Sequence, residues 1–498
     1  MFRPDIKTNG RKEKRMKKIT NKLLRIFAVG QFGWSLLSGI ISTWLVHLYT
    51  GTPEKLGDTN GLFRELITQS PVLATLTLFG LITAVGRLFD AVTDPLIAGW
   101  SDRSSFKGGR RIPFLRAAAL PFALCTVAVF VLPQTQSVAA NNVIIFALLM
   151  LFYLFMTLYC TPYNALIAEL GDTQEHRINV STYISFTYIA GFSLSTLIPS
   201  LAGMLQGSMG VTEEAIAAAA GNPELSAAIA AGQANAFRVA IGIMSAVACV
   251  AMLVPAFLIK ERDYIDSKPS RTPAFSSLFK TFRNGQFRRF VYADVIYFFA
   301  VTMFQTGLAD FETRLMGIPS DNTFTLTVIM TVVSLLLYLP VNKLAPRVGK
   351  KKLIVVGFFA YAAVFLITAL CGEGFSWGLI VAVSAGVPMA ILGILPQACV
   401  ADVSELSTLE TGEDRSGMFF AARTFAMKLG QALSMLVYTS VTVATVVDGK
   451  DYVAPSQYRT VAVIATVTCL IGACLFLLYN EKMILGRIEQ LKAEKAAS

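Results

Sequence analysis

The sequence predicts an all-α membrane protein. Twelve helices cross the bilayer in two six-helix halves, and both termini lie in the cytoplasm. Three observations lead there. The first is composition: 54% of the 498 residues are hydrophobic and only 15% are charged, against about 25% charged in soluble domains. A soluble chain of this length would divide into several domains, each needing a polar coat. The second is that apolar runs of about 20 residues, the length of a bilayer crossing, recur along the whole chain. The third is that Lys and Arg collect in alternate loops, as the positive-inside rule requires.

Residues 1–22 form a basic cytoplasmic segment whose charge runs into a first span at 23–49. That span is too long for a signal peptide's apolar core, so it stays as a membrane helix. Further spans follow at 72–100, 112–133, 142–168, 180–205 and 236–259, and these six make the first half, 23–259. The Ala-rich segment 206–235 reads as an outer loop with short helices. A basic linker, 260–286, leads to the second half, 287–480. Its spans lie at 287–310, 322–344, 353–371, 376–401, 416–446 and 458–479. The tail 481–498 reads as a cytoplasmic continuation of the last span.

The halves repeat each other weakly. Arg110-Arg111 and Lys350-Lys351 are 240 residues apart, Pro162 and Pro396 are 234 apart, and Arg177 and Arg415 are 238 apart. Repeated halves with a site at their interface are the layout of secondary transporters. Acidic residues share the face of the basic loops. Asp102, Arg110, Arg111, Glu169, Arg177, Asp402 and Arg415 are therefore candidates for a cytoplasmic gate of paired charges.

Ionisable residues within spans are costly and mark function. Arg87, Asp90 and Asp94, spaced i, i+3, i+7, share one helix face. Two carboxylates one turn apart repel unless a cation, a proton or a basic group lies between them. Hard oxygen ligands suit a small hard cation, and Thr93 adds a hydroxyl. Lys428, about three turns into its span, needs a counter-charge, for which Asp90 and Asp94 are the candidates. Arg423 lies nearer the cytoplasm and is assigned to the acidic gate, and Asp294 to a structural role. A permanent ion-pair network of Arg87, Asp90, Asp94 and Lys428 that only tethers helices is the alternative to a cation site. Gln31 and Trp34 in span 1, and Tyr153, Thr157, Cys160, Tyr163 and Asn164 in span 4, are candidates to line a polar cavity, with Thr424 in span 11. His47 is placed at the outer membrane interface.

The seven Cys lie in apolar stretches without a CxxC pair, so neither a disulfide framework nor a zinc site is expected. The net charge of +11 is a matter of topology and calls for no nucleic acid. No nucleophile motif, phosphate loop or His cluster suggests an enzyme.

The stretch GRLFDAVTDPLIAGWSDRSSFKGGRRIPF (86–114) resembles helix 2 and the following loop of the glycoside–pentoside–hexuronide:cation symporters, of the major facilitator superfamily. CTPYNAL, ADVSE followed by TGEDRSG, and FAMKLGQAL extend the resemblance over nearly the whole chain. It implies that Asp90 and Asp94 are cation-site carboxylates. Thr93 falls where the family's melibiose permease has a cation-binding Asn, Thr157 matches a Thr near that site, and Lys428 matches the lysine that approaches the carboxylates. The sugar-binding set departs from the family: Cys160 and Phe32 stand at sugar-binding Asp positions, span 5 lacks the sugar-binding Arg, and Asn164 and Gly393 replace Trp. The same branch contains sodium-dependent lysolipid carriers. The expectation is a monomeric multi-pass symporter of the cell membrane, coupled to Na+ or H+ and without a cofactor. Its solute is a sugar or glycoside, with a lysolipid as the alternative. A non-transporting sensor or scaffold on the same fold is the alternative of another class.

Overall fold

The computed structural model describes residues 17–51, 60–73, 76–104, 106–170, 174–219, 221–264, 281–411, 416–443, 445–447 and 450–497. The first half holds α1 (Asn21–Thr50), α2 (Leu78–Arg103), α3 (Ile112–Val131), α4 (Val138–Leu170), α5 (Gln174–Ser195), α6 (Ile198–Gln206), α7 (Glu213–Ala218) and α8 (Pro223–Leu258). A short α9 (Glu261–Tyr264) follows. The second half holds α10 (Gly285–Asp310), α11 (Thr323–Val348), α12 (Lys350–Leu370), α13 (Phe375–Thr411), α14 (Ser416–Val441) and α15 (Pro455–Phe476), and the chain ends in α16 (Glu481–Ala497). Two antiparallel strand pairs, β1 (Pro71–Leu73) with β2 (Leu76–Thr77) and β3 (Thr445–Val447) with β4 (Lys450–Tyr452), complete the secondary structure of the described residues.

Ten helical stretches among the described residues are long and apolar enough to cross a membrane. Helices α2 and α14, each 26 residues, fall outside that set. They are the helices that carry Arg87, Asp90 and Asp94, and Arg423 and Lys428.

Local chemistry moves several boundaries. The strands β1 and β2 take residues 71–73 and 76–77, so α2 begins at Leu78 and not at 72. There the Thr77 hydroxyl accepts the Gly80 N–H and starts the helix. The outer loop expected at 206–235 is shorter. Asn222 caps α8 by accepting from Glu224 and Leu225, and the Ala-rich stretch behind it is helical. Ala has the highest helix propensity, so the run extends the membrane helix. The expected fifth span breaks between α5 and α6 ahead of Pro199, which has no N–H to donate. The tail is helical but separate, with a break between Phe476 and Glu481.

Within the first half α1 packs on α5 and α8, α3 on α4 and α8, and α2 on α4. The second half mirrors this, with α10 on α14 and α15, and α12 on α13 and α15. The halves meet where α2 crosses α14, α1 meets α10, and α5 meets α11. Close helix contacts use small residues. A Cβ at Gly33 would lie 2.4 Å from the Ala248 carbonyl of α8, and one at Gly430 would lie 2.4 Å from the Val295 carbonyl of α10.

Candidate functional site: a charged cavity between the halves

The crossing of α2 and α14 brings opposite charges together at mid-helix. Lys428 Nζ lies 2.7 Å from Asp90 Oδ1 and 2.6 Å from Asp94 Oδ2. It also donates to the Asp90 carbonyl at 3.2 Å. Helix α4 supplies hydroxyls to the same carboxylates. Thr157 donates to Asp90, and Thr161 donates to Asp94 Oδ1 at 2.7 Å. The Thr93 hydroxyl bonds back to the Asp90 carbonyl at 3.1 Å and lies 3.4 Å from that of Thr157. Asp90 is fully buried, and its Oδ2 has no hydrogen-bond partner. Thr161 is absent from the sequence-based set. The signal was there: Thr157 and Thr161 are one turn apart, as are Asp90 and Asp94.

Arg87 does not join this cluster. Its guanidinium lies over the Tyr153 ring, 5.1 Å from the centroid, and no carboxylate is within salt-bridge distance among the described residues. Arg423 also departs from expectation. It forms a forked bond with Asp294, at 2.8 and 3.1 Å, and not with the acidic loops. Both residues are buried, so desolvation selects the partner on the adjacent helix α10 over acids in solvent.

A cavity of about 600 Å³ lies between the halves beside the carboxylates. Gln31, Trp34, Thr157, Cys160, Asn164 and Thr424 line it together with Arg87, Asp90, Asp94, Arg423 and Lys428. Gln31 accepts from Trp34 Nε1 at 3.1 Å, and the Trp34 ring meets Tyr188. Tyr153 and Tyr163 lie outside the lining. Tyr153 is buried behind Arg87, and Tyr163 stacks on Phe27 and bonds its carbonyl at 2.8 Å. The opposite wall holds Tyr297, Gln305, Gln397 and Gln431, which sequence reasoning missed.

At the basic-loop end, ion pairs among the described residues run within each half. Arg110 and Arg111 reach Glu169 at 2.7 and 3.2 Å, and Lys350 bonds Asp402. The Asp102 and Arg177 side chains, and all of Arg415, lie outside the described residues. Two glutamates, one after α8 and one after α15, hold equivalent places. Glu261 accepts from the N–H groups of Arg110, Arg111 and Ile112 at 2.8, 2.8 and 2.9 Å, which caps α3. Glu481 accepts from Lys350 and Lys351 at 2.8 and 2.9 Å, which caps α12.

The other end is closed across the halves. His47, placed at the membrane interface by the sequence, is fully buried. Its Nδ1 lies 2.5 Å from Asp310 of α10, and Tyr438 of α14 donates to the same carboxylate. The Trp44 ring and the inter-half contact cover it.

Two pseudo-repeated helical halves that share a charged cavity have the form of a carrier, and this chain is a multi-pass membrane transporter and not an enzyme. It belongs to the MFS/sugar transport protein family, whose model matches residues 26–489. The chain is 24% identical over 419 residues to the sodium-dependent lysophosphatidylcholine symporter 1 of Mus musculus, covering 79% of this chain and 76% of that one. It is 23% identical over 476 residues to an uncharacterised symporter of Synechocystis, covering 82% and 83%. Among solved structures, a bacterial homologue of the human lysosomal transporter Spinster, inward-facing and unoccupied, superposes with a TM-score of 0.61 at 13% identity, over 94% of this chain and 97% of that one. A D-xylose–proton symporter gives 0.58 at 14%, over 90% and 96%. These two likenesses bear on the fold alone.

Proposed function

We propose that the protein is a Na+-coupled symporter that moves a small organic solute through the central cavity by alternating access. The observation that carries this is the pair Asp90 and Asp94, shared by one ammonium, with Asp90 Oδ2 left without a partner. A Na+ ion fits that oxygen-rich setting, with Asp90, Asp94, Thr93, Thr157 and Thr161 as its candidate ligands. Na+ is chosen over H+ because the lysophosphatidylcholine symporters similar to this chain are named sodium-dependent.

The topology of this reading has twelve spans, counting α2 and α14, in halves 23–259 and 287–480. The termini and the basic loops lie in the cytoplasm, by the positive-inside rule. The His47 end is then the outer end, and the arrangement is the inward-facing one. Arg110, Arg111 and Glu169, and Lys350 and Asp402, brace the two halves separately while the cytoplasmic end is apart. Asp102, Arg177 and Arg415 complete the gate in the opposite state. Cation binding offsets the carboxylate repulsion, and by linkage the solute raises cation affinity by the same factor.

The cavity volume and its Gln, Trp and Tyr lining suit a glycoside-sized polar solute in a monomer within the bilayer. The similarity to lysophosphatidylcholine symporters supports a lysolipid as the second reading. Solute flux in proteoliposomes, with and without a Na+ gradient, tests coupling. Asp94→Asn is expected to abolish Na+-driven accumulation while leaving some solute exchange. Full accumulation in that variant would show the site to be wrong.

A further inference from the structure

We infer that the transported solute carries an anionic oxygen group, a carboxylate or a phosphodiester, and that Arg87 holds it. The inference rests on the symporter reading and adds the solute's charge to it. A buried cation in a membrane protein needs a counter-charge. Each other cation in the cavity wall has one. Arg423 is held by Asp294, and Lys428 by Asp90 and Asp94. Arg87 is 7% exposed and lines the cavity, yet it makes no ion pair or hydrogen bond among the described residues. Its Nε has no partner, and neither has the hydroxyl of Tyr153, on whose ring it lies. A guanidinium held over an aromatic ring keeps its planar N–H fork available to a two-oxygen acceptor. The cavity beside it is where such an acceptor arrives.

The charge count gives the same result. Asp90, Asp94 and Lys428 together carry one net negative charge, which Arg87 balances from outside the cluster. A bound Na+ neutralises the cluster and leaves the Arg87 charge without a counterpart. An anionic group on the solute then restores balance, so each ligand favours the other. A neutral sugar would leave a net positive charge in the loaded cavity.

The test uses matched probes on the purified full chain in Na+: methyl glucuronide against methyl glucoside, and lysophosphatidylglycerol, a phosphodiester of net charge −1, against monoacylglycerol. Binding is read by titration and by the shift in unfolding temperature. The anionic member of one pair is expected to bind at least tenfold more tightly, and which pair responds tells carboxylate from phosphodiester. Arg87→Gln is expected to remove that preference. Arg87→Lys, which keeps the charge and loses the fork, is expected to retain part of it and guards against a folding defect in the first variant. Equal binding within both pairs, no binding by either anionic member, or an unchanged preference in Arg87→Gln overturns the inference. The Na+-induced stabilisation of wild-type protein without solute reads the cation site separately. If that response is present and the anion preference is not, the symporter reading stands and this inference alone falls.

Discussion

Lys428 of α14 reaches both Asp90 and Asp94 of α2, at 2.7 and 2.6 Å, and so joins the two halves at the centre of the cavity. The ammonium occupies the position that a second cation would compete for. Lys428→Ala leaves the buried Asp90 and the half-buried Asp94 without compensation, a loss on the order of 3 kcal/mol. Na+ is expected to recover more stability in this variant than in wild type, because it takes over the role of the ammonium. Unfolding temperatures in Na+ and in choline compare the two. An equal Na+ response in both proteins would separate Lys428 from the cation site.

At the far end, His47 and Asp310 close α1 against α10. Hydrogen bonds to charged groups contribute about 1.5–3 kcal/mol, and each 1.4 kcal/mol is tenfold in population. His47→Ala is therefore expected to raise the outward-open population at least about tenfold. Ser38 lines the cavity. A cysteine placed there should react correspondingly faster with an impermeant thiol reagent added outside. No change in labelling rate would mean that other contacts hold this end.

The Arg423–Asp294 pair joins α14 to α10 within one half. Removing either partner strands a buried charge and costs roughly 3–5 kcal/mol, whereas apolar residues at both positions recover most of it. Arg423→Met and Asp294→Leu, singly and together, form the cycle. Single variants no less stable than the double variant would mean that the pair is not the structural tie proposed for it.

Glu261 caps three N–H groups and Glu481 two, at equivalent places in the halves. Each Glu→Ala change should cost about 1–2 kcal/mol, with Glu261 the larger. Hydrogen exchange at Arg110, Arg111, Lys350 and Lys351 should quicken only in the half whose cap is lost. Faster exchange in both halves would mean that the caps are not independent.

Much of this was legible in the residues. Spans show as runs of apolar side chains, because each helix must satisfy its backbone internally and face lipid. The face of Asp90 and Asp94 shows because helical spacing is fixed at 3.6 residues per turn. Boundaries were misread where one residue decides them, as Thr77 and Asn222 do by capping α2 and α8. His47 was misplaced because a residue near a span's end looks interfacial until a neighbouring helix buries it.

The residues alone establish the membrane class and the helix face that Asp90 and Asp94 share. Those follow from composition and period along one chain. Helix packing sets the partners. Lys428 rather than Arg87 meets the carboxylates, Arg423 turns to Asp294, and His47 meets Asp310. Pairing depends on which helices cross and at what depth, and no local pattern records that crossing. That is why Arg87, which lines the cavity without an ion pair among the described residues, came into view only in three dimensions.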